Sequence, residues 1–358
     1  MQLEPGATIG IIGGGQLGRM MAMAAAHMGF LTHIYTPDTD SPAEQVAAHC
    51  TVAAYDDAAA LEQFAKTVDV ITYEFENVPH ESLAVLENTT QVRPSAQILR
   101  LTRNRITEKQ AVNDCGFKTA PYKPVTSYES LVDAVKELGC PSILKTAELG
   151  YDGKGQARIE KDTDLQATWN SLKTDEAVLE GFVQFSKEVS VIVARNNDGD
   201  IACYPPVHNI HENHILKYTH VPASLDAKMT AEAEHIAHTL AERLGLVGLL
   251  AVELFVAESG ELLVNELAPR PHNSGHWSMD ACATSQFEQA IRAICNWQLG
   301  DTTPLCPAEM VNLIGDDVFD WKAYAARADA HVHLYNKGQQ RPGRKMGHVN
   351  ILKPVKSS

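Results

Sequence analysis

The chain has 358 residues and carries 45 Asp and Glu against 30 Lys and Arg, a formal net charge of −15 at pH 7. This balance disfavours a general nucleic-acid binder, because phosphate contacts are made by clustered Lys and Arg. No apolar run approaches the roughly 20 residues that span a bilayer. The N-terminus lacks a signal-peptide pattern, and the seven cysteines contain no C-x-x-C pair. We therefore expect no nucleic-acid or membrane partner and a cytoplasmic location.

Strands alternate with helices over about the first hundred residues. We expect strands at 8–12, 31–35 and 69–72, a helix that ends near Gly29 and another helix at 57–66. This alternation predicts an α/β domain built on a doubly wound parallel sheet. A single hydrophobic core stops growing at roughly 250–300 residues, so one or two further domains must follow.

Three glycines follow the first strand in the spacing G-x-G-x-x-G: Gly13, Gly15 and Gly18. Such glycines let the backbone approach an anion at the N-terminus of a helix. Asp38 lies 20 residues beyond Gly18, where a dinucleotide-binding fold often has the acid that binds ribose. The pattern alone allows two interpretations: a nicotinamide enzyme, or a doubly wound domain that needs the turn only for packing.

Beyond residue 103 the regular alternation of strand and helix stops. We expect helices at 104–114, 128–138 and 229–244, extended chain at 119–126, and strands at 142–146, 177–180, 188–195, 200–204, 247–256 and 262–266. Further strands are expected at 310–314, 330–335 and 347–352. We therefore predict three domains, at 1–103, 104–297 and 298–358. The middle one is of the α+β class and the last is small and β-rich.

A glycine-rich polar loop follows the strand that ends near Lys145. The loop consists of Gly150, Tyr151, Asp152, Gly153, Lys154, Gly155 and Gln156. Free backbone N–H groups and two ammonium groups suit a polyphosphate that must be covered and then released. The alternative is a solvated hairpin turn, since Asp-Gly is also a turn signal. We favour the first interpretation, because three glycines with Tyr, Asp and Lys exceed what a turn needs.

Two carboxylates, Glu253 and Glu266, each lie within an apolar run on neighbouring predicted strands. A charge in such a place is unfavourable unless it is paired or bound to a metal. Together with the amide oxygen of Asn265 they form a hard oxygen set, suited to Mg²⁺ held between ATP phosphates. The alternative is that both side chains simply face solvent.

Hydrogen-bond donors are dense directly after Glu266. Arg270 can hold an oxyanion with two hydrogen bonds, and Asn273 and Ser274 add neutral donors. The run 268–277 therefore indicates a loop that binds a substrate.

Three cations lie within five residues near the end of the chain: Arg341, Arg344 and Lys345. In an acidic protein they are typical of a phosphate clamp. A solvated basic turn is an equally good interpretation of these three residues alone.

Taken together, these segments resemble the ATP-grasp superfamily, and within it the 5-(carboxyamino)imidazole ribonucleotide synthase family of purine biosynthesis. The resemblance covers nearly the whole chain and rests on the segments 15–20, 109–110, 150–156, 208–211, 265–277 and 341–348. It implies a central ATP-grasp domain with ATP between two β-sheets, and a homodimer. It also implies a ligase reaction in which ATP activates bicarbonate as carboxyphosphate, and the amine of 5-aminoimidazole ribonucleotide then takes up the carboxyl group.

The resemblance also implies roles for individual residues. Arg105 and Lys145 would contact the ATP phosphates, with 150–156 as a lid. Adenine would lie against Glu180, Gly181, Phe182 and Val183, the ribose against Glu188, and His211 near the nucleotide. Glu253 and Glu266 would hold Mg²⁺, or Mn²⁺ in its place. The ribonucleotide would contact Gly15, Gln16, Leu17, Tyr151, Asp152, Arg270 and His272, and its phosphate would contact Arg341, Arg344 and Lys345. Asp152, Lys145 and Arg270 would be catalytic, with Asp152 orienting or deprotonating the amine.

Three other functions compete with this interpretation. A formate-using transformylase or a biotin carboxylase is disfavoured by the runs 268–276 and 341–348. A nicotinamide enzyme leaves Lys145, Glu253 and Glu266 without a role. A non-catalytic nucleotide sensor is disfavoured by the full set of cations and carboxylates.

Overall fold

The N-terminal part of the computed structural model is a four-stranded parallel sheet with helices on both faces. The model describes residues 2–148, 150 and 154–354. The elements in order are β1 (Thr8–Ile12), α1 (Gln16–His27), β2 (Leu31–Thr36), β3 (His49–Val52), α2 (Ala58–Ala65), β4 (Val70–Tyr73), α3 (His80–Glu87) and α4 (Ala96–Arg103). The strands pair in the order β3-β2-β1-β4. This confirms the doubly wound sheet, to which β3 adds a strand that the sequence did not predict.

Alternate residues of β1 pack into different layers, as the period of two in a strand requires. Ile9 and Ile11 lie in a core with α1, whereas Ile12 lies in a core with α2 and α3. The first core also contains Phe287 and Ile291, which belong to a helix of the central part. One face of the N-terminal sheet is therefore covered partly by the rest of the chain.

A second, smaller sheet is antiparallel and has the order β5-β8-β6-β7. The elements of this region are α5 (Arg105–Asp114), β5 (Tyr122–Val125), α6 (Tyr128–Leu138), β6 (Ser142–Thr146), β7 (Gln156–Ile159), α7 (Leu165–Leu172) and β8 (Ala177–Gly181). Leu131, Leu144 and Leu179 lie in its core, beneath α6 and α7.

The third sheet has nine strands in the order β14-β13-β9-β11-β12-β15-β17-β16, with β10 paired to β9. Its elements are β9 (Phe185–Arg195), β10 (Ile201–Cys203), β11 (Val207–Glu212), β12 (Ile215–Val221), α8 (Ala227–Arg243), β13 (Gly248–Ala257), β14 (Leu262–Ala268), α9 (Ser278–Ala281), α10 (Gln286–Ile294), β15 (Ala308–Ile314), α11 (Trp321–Ala325), β16 (Ala330–Leu334) and β17 (Lys345–Leu352). The C-terminal strands continue this large sheet, because β15 pairs with β12. Within the described part of the chain, no helix is long and apolar enough to cross a membrane.

Candidate active site

Two lysines share one buried glutamate between the small sheet and α5. Lys145 Nζ on β6 lies 2.7 Å from Glu180 Oε2 on β8, and Lys109 Nζ on α5 lies 2.9 Å from Glu180 Oε1. Burial by itself raises the pKa of Glu180, but the charges of the two lysines outweigh it and lower this pKa to about 2. The cluster therefore carries two positive charges and one negative charge beside the cleft.

Helix α5 positions three charged side chains on one face. The helix begins after Asn104, whose side-chain oxygen accepts the N–H of Ile106 at 2.9 Å. Arg105, Glu108 and Lys109 are three and four residues apart, so their side chains project from the same side. Lys109 is only 1% exposed, a rare condition for a lysine, and its ion pair with Glu180 accounts for it.

Arg105 connects the glycine-rich loop to strand β14. One guanidinium nitrogen lies 3.3 Å from Glu266 Oε2, and another donates to the carbonyl of Gly150 at 3.4 Å. The far end of the loop is fixed by the Thr146 N–H, which donates to Gly155 O at 2.8 Å. Gly155 has φ +71°, and a Cβ there would lie 2.7 Å from Thr146 Oγ1, so this position needs glycine.

The predicted lid residues are only partly described. Lys154 is exposed, Gly155 is half-buried, and Gln156 begins β7. Tyr151, Asp152 and Gly153 lie outside the described residues.

A β-bulge brings the two predicted metal ligands onto one face of the large sheet. Glu253 on β13 pairs with Glu266 on β14, and the register shifts beside this pair. Val264 and Leu267 both pack in the core beneath α8, although residues three apart in a regular strand face opposite sides. The extra residue, Asn265, accounts for this. Glu266 consequently points away from the α8 core, as Glu253 does.

These carboxylates fit a metal ion that is held together with a polyphosphate. Mg²⁺ is usually bound by one or two carboxylates plus substrate phosphates and water. Among the described side chains, no group of three or more His, Cys, Asp or Glu residues is arranged to hold a metal on its own. Glu266 is 41% exposed and therefore accessible to a ligand. The pair, with the amide oxygen of Asn265 next to it, supplies hard oxygen ligands only.

Arg270 and Glu76 join the N-terminal sheet to the large sheet. Arg270, which follows β14, lies 2.5 Å from Glu76 Oε1 in the loop after β4. Burial lowers the pKa of Arg270, but the Glu76 charge outweighs it and raises the pKa, so the guanidinium stays charged. Both side chains face a polar cavity, which is also lined by Arg103, Arg105, Glu108 and Glu266.

The loop after Arg270 places His272 against the carboxylate pair. His272 Nε2 lies 3.0 Å from Glu253 Oε1. Burial raises the pKa of Glu253, but the hydrogen bond from His272, together with the charges of His211 and Arg270, outweighs this and lowers it. Asn273 is buried and its Oδ1 lies 3.1 Å from His276 Nε2. Ser274 is fully buried, so its side chain has no surface that a ligand could touch in this structure.

The predicted adenine and ribose residues lie where the small sheet meets the large one. Gly181 ends β8, and Phe182 and Val183 follow in the short connection to β9. Glu188 on β9 pairs with His211 on β11, with Oε2 and Nδ1 2.5 Å apart. Burial lowers the pKa of His211, but Glu188 outweighs it and raises the pKa, so the pair is stabilised in its ionic form.

The basic turn is only partly close to this cleft. Lys345 begins β17, and its charge acts on His211. Arg344 is half-buried and donates to the carbonyl of Gln339 at 3.1 Å, whereas Arg341 is exposed. The structure therefore places one of the three predicted phosphate ligands near the nucleotide residues and the other two on the turn.

The glycine turn is filled by a side chain of the protein itself. The Glu74 carboxylate, after β4, accepts the N–H groups of Gly15 and of Gly18, the latter at 2.8 Å. A Cβ on Gly13 would lie 2.3 Å from the Glu74 side chain, so only glycine leaves room for this carboxylate. The anion that the sequence pattern predicted at the helix N-terminus is therefore intramolecular.

The neighbouring predicted ligands differ in accessibility. Gln16 is half-buried, whereas Leu17 packs in the core between α1 and α10. The dinucleotide interpretation of this turn is disfavoured, because its anion-binding N–H groups are already occupied.

Three acidic residues of the cleft were missed by the sequence analysis: Glu74, Glu76 and Glu108. Lys109 belongs to the segment 109–110 that supports the family resemblance, but no role was predicted for it. Glu74 and Glu76 follow the carboxyl end of β4, where ligands bind in open α/β sheets, so this position was a usable signal. The charged face of α5 gave no comparable signal, because a charged helix face is usually solvated.

Comparisons with known proteins place this geometry in a family. The model of the ATP-grasp domain matches residues 110–287, that of the ribonucleotide synthetase preATP-grasp domain matches 6–103, and that of the phosphoribosylaminoimidazole carboxylase C-terminal domain matches 308–358. The chain is therefore an ATP-grasp protein.

Relatives with similar sequences and structures identify the family within the ATP-grasp proteins. An N5-carboxyaminoimidazole ribonucleotide synthase of Brucella melitensis is 48% identical, with 98% of both chains covered. A crystal structure of an N5-carboxyaminoimidazole ribonucleotide synthetase as an ADP complex has a TM-score of 0.95 at 46% identity, covering 98% of this chain and 94% of the other. The chain belongs to the N5-carboxyaminoimidazole ribonucleotide synthase family.

Two further relatives show the range of this likeness. The synthase of Aspergillus clavatus in complex with ADP and 5-aminoimidazole ribonucleotide has a TM-score of 0.91 at 29% identity, covering 98% of this chain and 94% of the other. A bifunctional purine synthesis protein of Dictyostelium discoideum is 43% identical, and the chain spans 37% of its length.

Proposed function

We propose that the chain uses ATP to carboxylate 5-aminoimidazole ribonucleotide with bicarbonate, giving 5-(carboxyamino)imidazole ribonucleotide, ADP and phosphate in purine synthesis. The observation that carries the proposal is the convergence of three groups in one cleft. These are the cluster of Lys109, Glu180 and Lys145, the Glu253–Glu266 pair, and Arg270 with Glu76. Family membership supports the same reaction.

ATP lies between the two antiparallel sheets. Lys145, Lys109 and Arg105 bind its phosphates, because they are the cations at the base of the lid. Adenine is bound at the connection between β8 and β9, by Glu180, Gly181, Phe182 and Val183. The ribose is bound by Glu188, with His211 beside it. The segment 150–156 covers the phosphates, with Lys154 as a further cation.

Mg²⁺, or Mn²⁺ in its place, is held by Glu253 and Glu266 with the help of Asn265 and the phosphates. When bound, it offsets the negative charge that builds up on the transferring phosphoryl group. Arg105 is a cation of the protein that stabilises the same negative charge, because its guanidinium lies 3.3 Å from Glu266.

Bicarbonate is a poor electrophile, so a phosphoryl group from ATP first activates it as carboxyphosphate. The exocyclic amine of the ribonucleotide then attacks the carbon, or CO₂ released from the intermediate. The N–C bond forms, the bond to phosphate breaks, and the amine loses a proton. Arg270, held by Glu76, binds the oxyanion, and Asp152 orients or deprotonates the amine. The closed lid excludes water, which would hydrolyse the intermediate.

The ribonucleotide lies between the N-terminal sheet and the loop after β14. Its base and ribose contact Gln16 at the glycine turn, with Gly15 and Leu17 beside it, and Tyr151, Arg270 and His272. Lys345 binds its phosphate, and Arg341 and Arg344 reach it from the basic turn. Asn273 and Ser274 act through His272 and His276 instead of touching the ligand. We also propose that the domain boundaries lie after residues 103 and 297. The protein is proposed to be a homodimer with a cytoplasmic location.

Phosphate release from ATP tests the proposal. We expect release to be stimulated by 5-aminoimidazole ribonucleotide and bicarbonate together, and not by either alone. The absence of stimulation by the ribonucleotide would overturn the proposal and leave a nucleotide sensor.

Matched variants test the site within the same assay. Glu266→Gln removes a carboxylate from the proposed metal site, so metal-dependent release should be lost while the circular dichroism stays native. The control is Glu261→Gln in the exposed turn before β14, which should keep the wild-type rate. Full turnover by Glu266→Gln would refute the ligand role of this residue.

A further inference from the structure

A row of polar side chains crosses the interior of the large sheet behind His272. It consists of Ser274, Ser190 on β9, Asn209 on β11 and Thr219 on β12, none of which is more than 4% exposed. Ser190 on β9 pairs with Glu253 on β13, so the row lies directly beside the carboxylate pair. Buried hydroxyl and amide groups are unfavourable unless each one is hydrogen-bonded.

The contacts within the row are continuous. Thr219 Oγ1 donates to Asn209 Oδ1 at 3.0 Å, and Asn209 Nδ2 donates to Ser190 Oγ at 2.9 Å. Ser190 Oγ donates to Ser274 Oγ at 2.8 Å, and Ser274 Oγ lies 2.8 Å from His272 Nδ1. Each of the two serine hydroxyls accepts one hydrogen bond and has one proton to give, so the row has a direction.

Two fixed groups determine this direction. The backbone N–H of Ser274 points at His272 Nδ1 from 3.4 Å, and a backbone N–H can only donate, so Nδ1 must accept. At the other ring nitrogen, Glu253 Oε1 lies 3.0 Å from Nε2, so the ring proton that Nδ1 does not carry is placed to be donated to this carboxyl group. Both ends therefore fit the same tautomer.

We propose that this row is a positioning device that holds His272 with Nδ1 as a hydrogen-bond acceptor and Nε2–H as a donor, and thereby orients Glu253. Ser190, Ser274, Asn209 and Thr219 are its positioning residues. The Nδ1 lone pair is occupied by the Ser274 hydroxyl, so His272 has no lone pair to take the proton of the substrate amine. His272 acts as a donor to a carboxylate, as second-layer partners of metal ligands commonly do.

The assignment rests on the proposed function for the role of Glu253, but its main test does not. The full-length protein is labelled with ¹⁵N-histidine, and long-range proton–nitrogen spectra are recorded at pH 8 without ligands. Signals of His272 are identified by their loss in His272→Gln. We expect Nδ1 to resonate as an unprotonated nitrogen and Nε2 as a protonated one. A protonated Nδ1 in the wild-type protein overturns the proposal even if ribonucleotide-dependent turnover is found.

Variants of the row give a second readout. Ser274→Ala removes the hydroxyl and leaves only the longer 3.4 Å contact of the backbone N–H at Nδ1, so the Nδ1–H tautomer of His272 should appear beside the Nε2–H tautomer and kcat should fall about tenfold. The KM for the ribonucleotide should change less than about twofold, because the His272 ring stays in place and the defect lies in its hydrogen bond to Glu253. Adding Ser190→Ala to Ser274→Ala should lower kcat no further, since the two residues act through one chain. Additive losses would contradict the proposal.

A neighbouring buried serine provides the control. Ser278 donates to Gly275 O at 2.6 Å and lies outside the row. Ser278→Ala should therefore leave the nitrogen signals of His272 unchanged. A shift in tautomer in this variant equal to that of Ser274→Ala would mean that general loosening of the loop, not the row, controls His272.

Discussion

Glu108 is a buried carboxylic acid whose pKa is shifted by the groups around it. Its Oε1 accepts the N–H of Leu267 at 2.6 Å. Burial, followed by the Glu266 charge, raises its pKa to about 8, although Arg105 and Lys109 act in the opposite direction. The side chain is thus mainly neutral at pH 7.

This raised pKa makes the stability of the free protein depend on pH. The stabilising contribution of neutral Glu108 is complete below its unfolded pKa of about 4.5 and is lost as pH rises towards 8. We expect Glu108→Gln to remove this loss, so that between pH 5 and 8 its free energy of unfolding falls less steeply than that of the wild type. The difference is about 1 kcal/mol per pH unit. Urea unfolding without nucleotide or metal measures it.

A surface glutamate provides the comparison for Glu108. Glu232 is exposed on α8, so Glu232→Gln should keep the wild-type pH dependence. If Glu108→Gln and the wild type have equal slopes, Glu108 is ionised in the folded protein and the prediction fails.

Individual residues differ in how well the sequence revealed them. Glu253 and Glu266 were singled out because each interrupts an apolar run, and the structure pairs them across β13 and β14. Their role as metal ligands stays a prediction. Ser190 and Asn209 gave no signal, since short polar residues are common in exposed strands. Their burial comes from packing between strands that are distant in the chain, which no local pattern records.

At the scale of an element, the bulge in β14 accommodates Asn265 while Glu266 stays on the face away from the α8 core. Deleting Asn265 would remove the extra residue and restore regular alternation, so that Val264 and Leu267 stay in the apolar core and Glu266 stays on the opposite face. We expect the deletion variant to keep Mg²⁺-dependent ATP binding within about tenfold of the wild type, because both carboxylates remain on one face. Calorimetric titration with ATP, with and without Mg²⁺, measures the binding.

Asn265→Ala is the matched variant, because it removes the amide and keeps the extra residue. It should bind Mg²⁺ and ATP within about tenfold of the wild type. Loss of Mg²⁺-dependent binding in the deletion variant but not in Asn265→Ala would contradict this prediction and would show that the bulge itself is needed to place Glu266.

Most strands followed from periodicity, but the sequence analysis missed strands β3, β7, β11 and β12 and helices α3, α4, α7, α9, α10 and α11. Strands β11 and β12 show why. Their alternation is obscured by polar residues on both faces, including the buried Asn209 and Thr219. The bulge was equally unpredictable, because it is defined by the pairing of β14 with β13 and not by the sequence of β14.

For the whole molecule, the important fact is that one sheet runs from β14 to β16. The sequence predicted a small β-rich C-terminal domain, and β15, β17 and β16 form it. It did not predict that these strands extend the central sheet, because spacing along the chain does not reveal which strands pair. In the structure β15 pairs with β12 over Tyr218–Val221, so the C-terminal strands share hydrogen bonds with the central ones.

We therefore expect β15 and β17 to open together with β12 and β9. Native-state hydrogen exchange in low urea should give their slow amides one common opening free energy. The short, exposed α11 serves as an internal reference for fast local exchange. Opening of β15 and β17 while β9 stays protected would contradict this prediction and support an independent unit.

The occupied glycine turn has a consequence for selectivity inside a cell. Cellular dinucleotides and free phosphates compete for any helix N-terminus with open N–H groups, and Glu74 removes this one from the competition. A carboxylate fixed by the chain has a high effective concentration at the turn, which a free metabolite must exceed to displace it. The fold is of a kind that binds nucleotides, but the N–H groups of this turn are occupied and do not bind most of the nucleotides in the cell.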